Sequence, residues 1–169
     1  MSQLNQILER LADIEQTVVC TMPDGSSLPV TQAYAYLQWD IASAQCPFFA
    51  NELNDWTSNI WAVGGGLGQH IDTKIPMYLC LQALEQNASL SLSVETAAAN
   101  RDAVYIAFGN AVQLNAGLGQ LLNSDGQTFV LEATITAGAV EPVTLGSTTY
   151  LAMRFDLAVK EAFQVPVGM

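Results

Sequence analysis

Basic residues are scarce in this chain of 169 residues: five lysines and arginines stand against sixteen acidic residues, for a formal net charge of −11. Proteins bind a phosphate backbone through clustered Lys and Arg side chains, and an acidic surface repels it. The composition therefore excludes specific DNA or RNA binding, and leaves open only a near-neutral ring surface that surrounds a nucleic acid. The acidic residues are spread through the chain and form no acidic tail.

Metal-ligating residues are also few. The single histidine, His70, excludes the familiar His-rich metal sites. The three cysteines, Cys20, Cys46 and Cys80, are odd in number and contain no C-x-x-C pair, which argues against a disulfide scaffold and against a zinc site. We therefore expect reduced, structural thiols, no metal and no cofactor.

Long apolar runs are missing as well. No run approaches the roughly 20 residues that span a bilayer, and the opening MSQLNQILER has neither a basic n-region nor an apolar h-region. We expect no membrane anchor and no signal peptide. Half of the residues are hydrophobic, and this length suits one domain, residues 1–169, with its own core.

The hydrophobic patterning predicts an α+β fold. An N-terminal helix and a second long helix pack on an antiparallel or mixed sheet of four to six strands, from which one β-hairpin projects. The segment 31–39 fits a strand but also a helix, and 89–94 fits either state. The predicted helices span 2–15 and 95–114, and the predicted strands span 17–22, 31–39, 57–63, 74–84, 128–138 and 148–163, with a turn around Glu141-Pro142.

The glycine-rich stretch AVGGGLGQH, residues 62–70, does not match a nucleotide-binding loop. A P-loop requires Lys and Ser or Thr after its last glycine, where this chain has Gln69 and His70, and the dinucleotide pattern requires a glycine at 69. Asp72 could orient His70, but no G-x-S-x-G elbow supplies a nucleophile. We interpret residues 63–73 as a mobile hairpin tip that becomes ordered only against a neighbouring subunit or another component of an assembly.

Aromatic and acidic residues offer two further readings. Trp39, Trp56 and Trp61 cluster with four other aromatic residues in one third of the chain, which fits a core with a subunit interface or, alternatively, a ligand-stacking platform. Carboxylate pairs such as Asp13 with Glu15, and Glu52 with Asp55, fit solvated surface acids better than a catalytic pair. The residues thus indicate no active site, and we expect a protein that is not an enzyme.

Two stretches resemble phage tail terminator and tail-completion proteins. In the first, residues 33–53, Tyr34-Ala35-Tyr36 is followed after a spacer by Cys46-Pro47-Phe48-Phe49. The second, GSTTYLAMRFDLAVKE at 146–161, resembles the last strand of that family. The order of predicted elements also agrees, except for the extra Pro-Asp-Gly turn within 17–30.

The resemblance implies a structural virion protein, assembled in the host cytoplasm. It would form a ring, expected to be a homohexamer, that caps the tail tube and contacts the tube protein on one side and a neck or head-completion protein on the other. The alternative is a small cytosolic hydrolase or ligand-binding domain with an aromatic-lined pocket. The residues expected at the assembly interface are Trp61, Gly64, Gly65, Gly66, Leu67, Gly68, Gln69 and His70.

Overall fold

A computed structural model describes the backbone of residues 3–36, 46–52, 55–63, 66–84, 92–112, 118, 121 and 126–164, and the side chains of these residues except over 55–69, 110–112 and 163–164. The fold is α+β, as predicted, with two helices, a two-stranded sheet and a six-stranded mixed sheet. The elements are α1 (Gln3–Glu15), β1 (Val19–Thr21), β2 (Ser27–Pro29), β3 (Gln32–Tyr34), β4 (Phe48–Asn51), β5 (Asp55–Val63), β6 (Gly66–Ala83), α2 (Val94–Val112), β7 (Val130–Leu145) and β8 (Thr148–Gln164).

The large sheet is built around the antiparallel pair β6 and β8. Its order is β3-β4-β6-β8-β7, and β5 pairs with β6 along the same edge as β4. β3 and β4 are parallel, and the other pairs in this sheet are antiparallel. β4 ends opposite Met77 and β5 begins opposite Lys74, so the change of strand falls beside Pro76, which has no N–H to donate.

One face of the sheet, here called the helix face, carries the larger hydrophobic core. Residues at spacings of three and four on α1, such as Ile7 and Leu11, are fully buried against it, as the periodicity predicts. On α2, Val104 and Phe108 are buried in the same core. The strand residues of this core are Phe49, Ile75, Met77, Leu79, Leu81, Met153, Phe155, Leu157 and Val159.

The opposite face of the sheet holds a second, smaller core near β3 and β4. Phe48 lies between Tyr34 and Tyr150, with ring centroids 5.9 and 5.1 Å apart and nearly perpendicular planes, the edge-to-face geometry that aromatic rings favour. Cys80 and Ala152 are buried with them. Adjacent residues of one strand point to opposite faces, so Phe48 and Phe49 belong to different cores.

A β-bulge changes the predicted side-chain alternation of β6. The sequence pattern places Ala83 on the same side as Met77, Leu79 and Leu81, and this is wrong for Ala83. The register with β8 shifts between Cys80 and Gln82, and Ala83 packs in the second core with its register partner Tyr150. One extra residue reverses the faces of everything that follows it.

The turn predicted around Glu141-Pro142 is also wrong, because β7 continues through it. Pro142 lies opposite Leu151, and the strand reverses instead at Gly146-Ser147, where Gly146 has a φ of 63°. β7 is at the edge of the sheet, where a proline can direct its missing N–H away from the ladder. The positive φ of Gly146 suits a two-residue hairpin turn.

The two helices and the strands predicted at 17–22 and 57–63 agree with the structure to within a few residues, whereas β2 and β4 lie in segments for which the pattern predicted no strand. Ser93 caps α2, since its Oγ accepts a hydrogen bond from Thr96 N at 3.1 Å. The segment 31–39 contains the short strand β3. The described part of the chain does not include residues 37–45, residues 85–91 or the predicted helix exit at 115–117. In the part described, neither helix has the length and apolar character needed to cross a bilayer.

Two buried carboxyl groups correct the expectation of surface acids. Glu15 is fully buried at the end of α1, where its Oε2 accepts a hydrogen bond of 3.0 Å from Asn51 Nδ2 of β4. Within the described residues, Glu15 Oε1 and Asn51 Oδ1 have no partner. Burial raises the pKa of Glu15 well above its ordinary value, and a neutral carboxyl can donate to the amide oxygen. Burial also raises the pKa of Glu161, which accepts a hydrogen bond from Thr73 Oγ1.

These carboxyls make the stability depend on pH in a defined direction. A raised pKa means that folding favours the protonated form, so the stabilisation is complete below the ordinary pKa of 4.5 and is lost as pH rises through the raised pKa. We expect the free energy of unfolding in urea to fall as the pH increases from about 4.5 to about 8. The variant Glu15→Gln keeps the buried side chain neutral and should show a shallower fall. Equal slopes for the two proteins would contradict this assignment.

Candidate assembly surface

The residues predicted at the assembly interface lie in the hairpin formed by β5 and β6. Trp61 is opposite Gly68 in the register, and β6 begins at Gly66 with Val63 as its partner. Gly64 and Gly65 lie outside the described residues. The chain therefore brings Trp61 and the segment Gly66–His70 together at one end of the sheet.

The predicted hairpin tip at 63–73 is too long. The sequence pattern begins the strand at Lys74, whereas β6 begins at Gly66 and is already paired with β8 at Gly68, opposite Gln164. Glycine has a low intrinsic preference for strands, because it has no side chain to pack. Here the backbone between Gly68 and Thr73 pairs with β5 on one side and β8 on the other, and this tertiary pairing overrides the local preference.

His70 is a strand residue and does not lie in a hairpin tip, where the sequence pattern places it. It lies opposite Asn59 in β5 and Ala162 in β8, and its side chain is half-buried. Asp72 shares its face of the sheet but lies opposite Lys160. The arrangement around His70 is that of a polar sheet surface.

Charged side chains cover part of the opposite face beyond the second core. Asp156 accepts hydrogen bonds from Arg154 at 3.0 and 3.1 Å and lies 3.4 Å from Lys74 Nζ. The hydrogen bonds to Asp156 raise the pKa of Arg154. Partly exposed ion pairs of this type contribute about 0–1 kcal/mol each. Since these acidic and basic groups neutralise one another, this surface has no concentrated positive charge.

An open groove of about 550 Å³ runs across the same part of the sheet. Three of the five basic residues of the chain lie in or beside it: Lys74, Lys160 and Arg154. Its wall alternates charge, since Lys160 lies opposite Asp72 in one neighbouring strand and Glu132 in the other. A groove with this mixture suits contact with a polar surface better than capture of an anion.

The side chains of Trp39, Trp56 and Trp61, on which a stacking platform would depend, lie outside the described part of the chain, and most of the other aromatic residues of that cluster are buried. Phe48 and Tyr150 are fully buried and Tyr34 is 7 % exposed, so their rings serve the second core. The three thiols are also structural in character: Cys80 is buried in the second core and Cys20 in the core of the helix face, and Cys46 packs against both. Burial raises the pKa of Cys46 to about 11 and that of Cys20 to about 12, and it raises the pKa of Cys80 further. At neutral pH these thiols are protonated and weakly nucleophilic.

Two long strands of the large sheet have a partner on one side only among the described residues. In the described part of the chain, β5 pairs with β6 alone and β7 with β8 alone. One backbone group of the β7 edge is occupied, because Ala137 N donates to the hydroxyl of Tyr105 on α2 at 2.9 Å. A strand edge with free N–H and C=O groups is a template for pairing with another strand.

Sequence reasoning missed both the β7 edge and the contribution of Tyr105. The alternation of 128–138 indicates a strand but not its place in the sheet, and edge position is the property that matters here. Tyr105 falls at an exposed helical position, where nothing in the pattern marks a partner 32 residues away. One signal in the sequence was the absence of Lys and Pro from Val130–Ala139. Such a strand either lies between two neighbouring strands or forms an edge that pairs with another chain.

Tyr105→Phe should release the Ala137 amide. The hydrogen bond lies at an exposed edge where water can replace the hydroxyl, so we expect the free energy of unfolding to fall by no more than about 1 kcal/mol. The Ala137 amide should exchange its hydrogen faster by NMR. Ile106→Ala, at a neighbouring position that is 64 % exposed, is the matched control and should change stability by less than about 0.5 kcal/mol. Unchanged exchange at Ala137 in Tyr105→Phe would show that the hydroxyl is not its acceptor.

Comparison with known proteins gives no family assignment: no protein-family model and no curated protein matches this chain. The resemblance to tail terminators therefore rests on the two sequence stretches. The second of them forms the β7–β8 turn and most of β8, and the first contains part of β3 and all of β4.

Proposed function

We propose that this protein is a structural subunit that assembles into a closed ring, caps the tail tube of a phage and joins the tube to the neck or head. The observation that carries the proposal is the four-stranded half of the sheet, β5-β6-β8-β7, which has an open edge on each side in the described residues. An element with two different open edges joins identical copies head to tail, and a head-to-tail contact closes into a ring when its rotation fits.

The resemblance to tail terminators supports a ring at the end of a tube. One face of such a ring would copy the contacts between tube subunits, and the other face would lack them, so that no further tube subunit could add. The β5–β6 hairpin with Trp61 and Gly66–His70 is the candidate contact with a neighbouring copy or the tube. The acidic charge supports a channel that lets nucleic acid pass without binding it.

Self-association is the first testable consequence. We expect native mass spectrometry to find an oligomer of about six subunits of 18.1 kDa each. Because each copy has a formal charge of −11, we expect the oligomer fraction to rise as NaCl increases from about 0.05 to about 0.5 M, which shortens the screening length.

The capping role needs a second assay. Adding the purified protein to the polymerising tail-tube protein of the same phage should shorten the tubes, and electron microscopy should find rings at one tube end only. A species of 18 kDa alone at high micromolar concentration, in high and low salt, would contradict the ring proposal. Rings that leave the tube length unchanged would contradict the capping role but would agree with ring formation.

A further inference from the structure

We propose that the ring is closed by strand pairing between the Glu132–Thr136 segment of β7, here called the pairing segment, and β5 of a neighbouring copy. This inference rests on the proposed ring and names its interface. It differs from the sequence-based expectation, which placed the interface at the glycine-rich end of the β5–β6 hairpin.

Within the described residues, no strand pairs with the outer side of the pairing segment. Ala137 donates its N–H to Tyr105 on α2, so this N–H points away from β8. In an antiparallel ladder the outward-pointing residues alternate, and the register from Glu132 to Ala137 is regular. Ala133 and Ile135 therefore direct N–H and C=O groups to the outside, whereas Thr134 and Thr136 bond to β8.

Structural features on both sides limit pairing to this segment. The register of β7 shifts between Val130 and Glu132 and again between Ala137 and Val140. Tyr105 occupies the next outward N–H, that of Ala137. Farther along, Pro142 interrupts the row of donors. An incoming strand thus meets a short straight edge with two outward-facing residues.

Lys, Pro and an internal β-bulge, three devices that keep exposed edges from pairing, are absent from the pairing segment, whose one charged side chain is that of Glu132. Natural sheets protect their edges with Lys, Pro, bulges or covering elements. The five residues Glu-Ala-Thr-Ile-Thr contain neither Lys nor Pro, and the bulges lie only outside them. β5 is likewise without Lys, Pro or a register shift over its nine residues. Within the described residues, two edges of one sheet thus lack Lys, Pro and internal bulges, which supports the use of both in pairing.

Strand direction makes these two edges complementary. Each neighbouring pair in β5-β6-β8-β7 is antiparallel, so β5 and β7 run in opposite directions. Rotation about a ring axis preserves these directions, so β7 of one copy meets β5 of the next as an antiparallel pair. Through β8, the pairing segment is in register with residues 72–76 of β6, whereas β5 is in register with residues 66–74 of β6. Pairing therefore requires a stagger, as closed barrels do.

The occupant is a second copy because only this arrangement closes the sheet. Pairing of β7 with β7 of another copy would give a two-fold dimer and would leave both β5 edges open. Pairing of β7 with β5 uses both edges of every copy, and a closed sheet has no edge left to aggregate.

The experiment is a proline substitution that removes one outward N–H. Ala133→Pro leaves the ladder to β8 intact, because the N–H of Ala133 faces outward, and edge positions accept proline. We expect circular dichroism to show a folded protein and native mass spectrometry to show that half-assembly requires at least about tenfold more protein. Ala133→Ser, which retains the N–H, is the matched control and should assemble like the wild type.

Amide hydrogen exchange on the wild type tests the same point without a substitution. On assembly, the amides of Ala133 and Ile135 should gain protection, while Thr134 and Thr136 should be protected in both states. If Ala133→Pro does not fold, the amide exchange of the wild type decides whether the pairing segment forms the interface. A wild type that stays monomeric overturns the ring and the interface together. A ring in which Ala133→Pro assembles normally, or in which these amides stay unprotected, overturns the interface alone. A species that stops at two subunits indicates β7–β7 pairing and overturns it as well.

Discussion

The antiparallel pairing of β6 with β8 is the constraint on which the rest of the structure depends. It extends from Gly68 opposite Gln164 to Ala83 opposite Tyr150, and the remaining strands of the large sheet attach directly or indirectly to its two sides. Because the side chains of paired residues share a face, this register also assigns every core residue of the two strands to one of the two faces. A shift of one residue would move Phe155 and Leu157 out of the main core.

The length of this central pair divides the sheet into two parts with different roles. Near β3 and β4 both faces carry buried residues, and the sheet is a packed interior. Near β5 and the start of β7 the opposite face carries mixed charges and an open groove. The strands are thus longer than the second core requires, and the additional length carries polar side chains and, within the described residues, strand edges paired on one side only.

The buried carboxyls and the strand edges involve the same physical problem, since each concerns polar groups that need partners. Glu15 meets this need by remaining neutral and contacting Asn51, at the cost of stability at higher pH. The β7 edge meets it in part through Tyr105, which satisfies one amide. In the proposed ring, another copy of the chain would satisfy the outward groups of the pairing segment.

The sequence by itself determined the class of fold and most of the elements. The spacing of Ile7, Leu8 and Leu11 indicated an amphipathic helix, and the alternation from Leu151 to Val159 identified the buried side of β8, because these patterns record which side chains leave water. It also indicated buried thiols, since the cysteines are too few and too widely spaced for other uses.

Only the tertiary structure decided where the strands lie relative to one another and, with that, where the candidate interface is. A one-residue bulge places Ala83 on the other face of the sheet, and pairing with strands on both sides makes Gly68–Thr73 part of a strand. Burial raises the pKa of Glu15 and favours its neutral form. Each outcome depends on a partner distant in sequence, and local periodicity contains no information on distant partners. For the same reason a strand pattern cannot reveal that β5 and β7 lie at edges among the described strands. Whether a backbone N–H or C=O has a partner depends on which strands are neighbours in the sheet, and not on the residues of one strand.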